Sequence, residues 1–123
     1  MVFDLKNEEA VTIDNFKGGE KYISAKMHFD GKNRILHGVL VSGATIGLHT
    51  HETNSEIIYF LKGKGKVLYD GEYETVEQGM CHYCPKGHSH SLINDSDEDL
   101  VFFAVVPEQQ FEILHKLCSL QSS

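Results

Sequence analysis

The sequence predicts an all-β domain, a sandwich or a closed barrel. Short apolar-rich runs recur along the chain, with turn signals at intervals of about ten residues. Several of these turns are of the hairpin kind, Asp70-Gly71 being the strongest. Histidines spaced for a shared site fall in different runs, which a closed barrel accommodates better than a flat sheet does.

Taken in order, Met1–Glu20 is a mixed N-terminal arm. Val2, Phe3 and Leu5, then Val11, Ile13 and Phe16, fit short strands or a segment laid on the barrel. Lys17-Gly18-Gly19 breaks the pattern. Lys21–Phe29 reads as a strand, Asp30–Asn33 as a hairpin turn and Arg34–Val41 as its return. The run Ala44–His51 reads as extended. Further strands are expected at Glu56–Leu61, Gly65–Tyr69, Glu72–Val76, Met80–Cys84, Ser89–Ile93 and Leu100–Val106. The tail differs. Pro107 fits the first position of a helix, and Phe111, Leu114 and Leu117 recur at helical spacing, so a short C-terminal α-helix is expected over 107–118.

The 123 residues suit one domain with one core. A net charge of −7 argues against nucleic acid as a partner, which would require a basic face. No run of about eighteen apolar residues is present, so no membrane-spanning helix is expected. The acidic start MVFDLKNEEAV lacks an apolar signal core, and the expected location is cytoplasmic. Three cysteines do not make a disulfide framework. Cys81 and Cys84 form a CxxC within an expected strand. Positions three apart there face opposite ways, so packing is the expected role.

Two stretches carry the chemistry: GATIGLHTHETNSEIIYFLKG over 43–63 and GMCHYCPKGHSHSLIN over 79–94. On an extended run His49 and His51 point to one face. A short polar loop then turns the chain, and Glu56 opens the next strand on the face of Ile58 and Phe60. His90 follows the Pro85–Gly87 turn. Three imidazoles and one carboxylate read as the donor set of a metal site. This set suits one divalent transition-metal ion, and donor type does not choose among Mn, Fe, Co, Ni, Cu and Zn. An ion held by one carboxylate keeps positive charge and favours a small anionic, chelating ligand.

These stretches resemble the two motifs of the cupin family. Gly43, His49, His51, Glu56 and Gly63 match the first motif, and Gly79, Pro85, Gly87, His90 and Asn94 match the second, at every fixed position. The fifteen residues between the motifs are a spacer of the length found in compact single-domain cupins. The resemblance implies one cupin (double-stranded β-helix, jelly-roll) domain over 1–123, with His49, His51, Glu56 and His90 as metal ligands. It implies a metal-dependent enzyme acting on a small polar or anionic metabolite by dioxygenase, decarboxylase, lyase or isomerase chemistry. The alternative is a metal-centred module that binds or senses such a ligand without turnover. It also implies a homodimer, paired through edge strands.

Two residues are expected to assist. Arg34 is the only arginine and could clamp a carboxylate bidentately if it faces inward. His37, mid-strand among apolar residues, could support the ligands or serve as acid or base. His88 is expected near the mouth, and His82 and His115 at the surface. Tyr59, Phe60, Tyr83 and Phe102 are expected in the core or pocket wall.

Overall fold

The computed structural model describes residues 1–109. Two antiparallel sheets face each other across one apolar core. After a 3₁₀ turn at Leu5–Asn7 come β1 (Val11–Asp14), a second 3₁₀ turn at Phe16–Gly18, β2 (Tyr22–Phe29), β3 (Asn33–Leu40) and β4 (His49–Thr50). β5 (Glu56–Lys62), β6 (Lys64–Tyr69), β7 (Glu72–Glu77), β8 (Cys81–Cys84), β9 (Ser89–Ile93) and β10 (Leu100–Pro107) follow. The larger sheet has the order β1-β2-β3-β10-β5-β8 and the smaller β4-β9-β6-β7. The all-β jelly-roll expectation holds. The strand bounds differ from those expected by a residue or so, except that the extended run 44–51 is paired only at the Thr45–Ile93 bridge and in β4.

The inward residues alternate as the pleat requires. On β3 they are Leu36, Gly38 and Leu40, on β5 Ile58 and Phe60, and on β10 Leu100, Phe102 and Ala104. Phe102 needs Gly38 opposite it, because a Cβ on residue 38 would overlap the Phe102 ring. The motif glycines Gly43, Gly63, Gly79 and Gly87 all take φ between +76° and +91°, so they turn the chain and do no chemistry. Asn94 is likewise architectural. Its buried amide donates to the Leu40 and Glu98 carbonyls, and its Oδ1 accepts from the Ser96 N–H.

Three expectations need correction. Pro107 ends β10, paired with Asn33, and Glu108 bridges Asn54, so no helix starts at 107. The rest of the expected helix lies outside the described residues, as does His115. Tyr59 and Tyr83 are not wall or core, because β5 and β8 turn them outward at 45% and 53% exposure. With Ile57 and Leu61 they make the outer face of the larger sheet apolar, and among the described residues it stays exposed. His82 is buried, not at the surface. Among the described residues no helix is long and apolar enough to cross a membrane.

Candidate metal centre

Both sheets contribute to one cluster. β4 pairs with β9 so that His49 lies directly across from His90, their ring centroids 4.6 Å apart. Beyond Thr50 the backbone of His51 still bonds to the β8–β9 turn, through its N–H to the His88 carbonyl and its carbonyl from the Gly87 N–H. That contact keeps His51 on the side of His49, as i, i+2 parity requires. The loop then crosses to the larger sheet, where Glu56 begins β5 and points back at the imidazoles. The candidate donor atoms of His49, His51, Glu56 and His90 all lie within 4.8 Å of one another.

The imidazoles are oriented, not merely close. The Nε2 of His90 is 2.9 Å from that of His51 and 3.1 Å from that of His49. Glu56 Oε1 lies 3.0 Å from His90 Nε2 and 3.3 Å from His51 Nε2. Each opposite ring nitrogen is already engaged. His49 Nδ1 meets the Gly47 carbonyl at 2.7 Å and His51 Nδ1 meets Asn54 Oδ1 at 2.6 Å, so both must carry the proton and donate. His90 Nδ1 meets His82 Nε2 at 3.0 Å. In the metal-free fold the Nε2 atoms of His51 and His90 lie within hydrogen-bond reach of Glu56 and can donate to it. With the proton kept at Nδ1, the three Nε2 atoms would instead turn lone pairs to an ion beside the carboxylate, and ring nitrogens fixed from behind are the usual support for histidine ligands. The donor chemistry therefore fits a divalent metal.

The electrostatics agree. Burial alone would raise the Glu56 carboxyl, but hydrogen bonds from His51 and His90 outweigh it and hold the pKa at about 2. Burial pushes His49 down. It opposes charge on His51 too, but hydrogen bonds to Glu56 and Asn54 prevail and raise it. Burial and then the neighbouring His90 take His82 to about 4, so this imidazole is neutral and able to accept the His90 Nδ1–H.

A cavity of about 420 Å³ opens over the cluster. Arg34 lines it, with its guanidinium 4.7 Å from the Phe29 ring centroid. Arg34 pairs with Val106, and the adjacent Val105 pairs with Ile57, which places Arg34 two strand spacings, ~10 Å, from the start of β5. The structure does not bring His37 to the cluster. It sits on the outward face of β3 between Lys26 and Phe103. His88 bonds to Asp70 and Tyr69, and His28 stacks on Phe3. Cys81 is exposed and Cys84 buried, facing opposite ways as expected, and burial lifts the Cys84 thiol to about 11.

His82, Asn54 and the Gly47 carbonyl are the supports that sequence reasoning missed.

Comparisons with known proteins agree with this architecture. A family model described as "Cupin domain" matches residues 36–106. An oxalate-binding protein of Thermotoga maritima is 32% identical over 100 residues, covering 76% of this chain and 83% of its own length. A crystal structure of a predicted oxalate decarboxylase from Thermotoga maritima superposes with a TM-score of 0.82 at 29% identity, over 88% of this chain and 99% of that one. The cupin domain of Schizosaccharomyces pombe Cnp3 shares the fold at 13% identity, with a TM-score of 0.74 over 94% of this chain and 79% of its own.

Proposed function

This chain belongs to the cupin domain family, and from that premise we propose that it holds one divalent transition-metal ion between His49, His51, Glu56 and His90 and acts there on a small chelating anion. The observation that carries the proposal is the convergence of three Nε2 atoms and Glu56 Oε1 with every Nδ1 already bonded behind. Donors about 2.1 Å from an ion and at right angles to each other lie about 3.0 Å apart, whereas tetrahedral donors lie about 3.4 Å apart. The separations of 2.9, 3.0, 3.1 and 3.3 Å span both spacings, and the donor set suits Mn, Fe, Co, Ni, Cu or Zn.

When bound, the ion would supply Lewis-acid polarisation of a ligand oxygen. The chain's own part is to orient that ligand and exclude water. In this reading Arg34, which lines the cavity, takes an outer carboxylate oxygen. A second reading, binding without turnover, is favoured by the relative named an oxalate-binding protein. One experiment separates the two. Protein loaded with Mn(II), and separately with Fe(II), is titrated with oxalate by calorimetry while CO₂ release and O₂ uptake are followed. Turnover supports the enzyme, saturable binding without product supports the binding module, and absence of metal uptake refutes both.

The chain also pairs with a second copy in this reading. Support comes from the apolar face that Ile57, Tyr59, Leu61 and Tyr83 make on the larger sheet, exposed among the described residues, more than from a sheet edge.

A further inference from the structure

The walls of the cavity are segregated by polarity. The residues of 49–56 that line it are polar or charged and surround the candidate metal ligands. The opposite wall, from β1, β2, β3 and β10, is mainly apolar, with Ile13, Ile23, Met27, Leu36, Phe102 and Val106, and carries Arg34 at its rim. The cavity is also far larger than a bare dicarboxylate requires. At about 30 Å³ per water it has room for about fourteen waters, whereas oxalate has only six heavy atoms. A ligand that only chelates would leave the apolar wall facing water, and the hydrophobic effect disfavours that state.

We propose that the preferred ligand is amphiphilic: a 2-oxo carboxylate whose head chelates the ion and whose unbranched apolar side chain lies along the wall of β2, β3 and β10. The proposal rests on the metal reading above and deepens it. An apolar wall offers the chain no hydrogen bonds, so affinity grows with length alone until the cavity is filled. Each buried methylene contributes about a fourfold gain in affinity.

The test is a ladder of pyruvate, 2-oxobutanoate, 2-oxopentanoate and 2-oxohexanoate, with oxalate as reference, titrated by calorimetry into protein loaded with Co(II). Metal stoichiometry is read beforehand from cobalt absorption. The expected result is a gain of about 60-fold from pyruvate to 2-oxohexanoate, three methylenes at about fourfold each. Met27→Asp places a carboxylate on the wall at a partly exposed position. It should bring the 2-oxohexanoate to pyruvate ratio below about fivefold, with folding verified by thermal melting. A flat or falling ladder in protein that binds one Co(II) overturns the proposal and leaves the metal reading standing. Failure to bind Co(II) at all overturns the metal reading, and this proposal with it.

Discussion

The bond between His82 and His90 gives a prediction that separates a support for the metal site from an ordinary core residue. In His82→Leu an apolar side chain fills much of the same space, but the acceptor 3.0 Å from His90 Nδ1 is gone. His90 is 1% exposed, so water cannot easily replace the lost partner. A buried donor left without an acceptor costs about 1–3 kcal/mol. The metal-bound state bears most of that cost, because there Nε2 is committed to the ion and the proton must stay at Nδ1. In the metal-free protein His90 can shift its proton to Nε2 and donate to Glu56. Metal affinity should therefore fall about 10- to 100-fold, in line with the usual worth of such outer partners. The melting temperature of the metal-free protein should hold or rise, since leucine replaces a desolvated imidazole. His82→Gln, whose amide oxygen can accept the bond, should recover much of the affinity. Competition against a chromophoric chelator measures the first effect and thermal melting the second. A metal affinity within twofold of wild type in a folded His82→Leu protein would refute the reasoning.

Three further outcomes are expected. The Glu56 carboxyl titrates at about 2 in the fold against an ordinary 4.5, so its contribution to metal-free stability is complete above pH 4.5 and is lost as pH falls toward 2. Denaturant melts across that range should show the loss in wild type and a smaller one in Glu56→Gln, which should also take up metal at least 100-fold more weakly. Gly38→Ala should drive a methyl into the Phe102 ring and cost about 1–3 kcal/mol, seen as a lowered melting temperature that Gly38→Ala/Phe102→Leu partly restores. Light scattering should give about twice the 13.8 kDa chain mass, and Tyr59→Lys on the outer apolar face should return it toward one chain mass. A wild-type mass of one chain would exclude the pairing.

Much of the barrel was legible because glycine and alternation act locally. Gly63, Gly71 and Gly79 mark turns wherever they stand, and runs such as Glu56–Leu61 reveal their inner face by parity. The four candidate ligands were legible for the same reason, since His49 and His51 share a strand face and Glu56 opens the next strand. His82 was not. Its neighbours in Cys-His-Tyr-Cys carry no contrast between apolar and polar positions, and its partner His90 belongs to the other sheet. Asn54 and Gly47 escaped notice because what matters is a carbonyl oxygen aimed by the fold, which no side-chain pattern announces. Pro107 misled in the opposite direction. A proline that opens a helix is also tolerated at the end of a strand, where its missing N–H interrupts little pairing.

The acidic donor and the three imidazoles hang from opposite walls of the barrel, one from β5 and three from the β4–β9 side. An ion seated there would act as a rivet between two shells that meet elsewhere mainly through apolar side chains. Withdrawing it would let the shells breathe at one mouth while the far end, closed over Leu40 and Leu100, stays shut. Occupancy would thus be felt as stiffness at the entrance through which any ligand must pass.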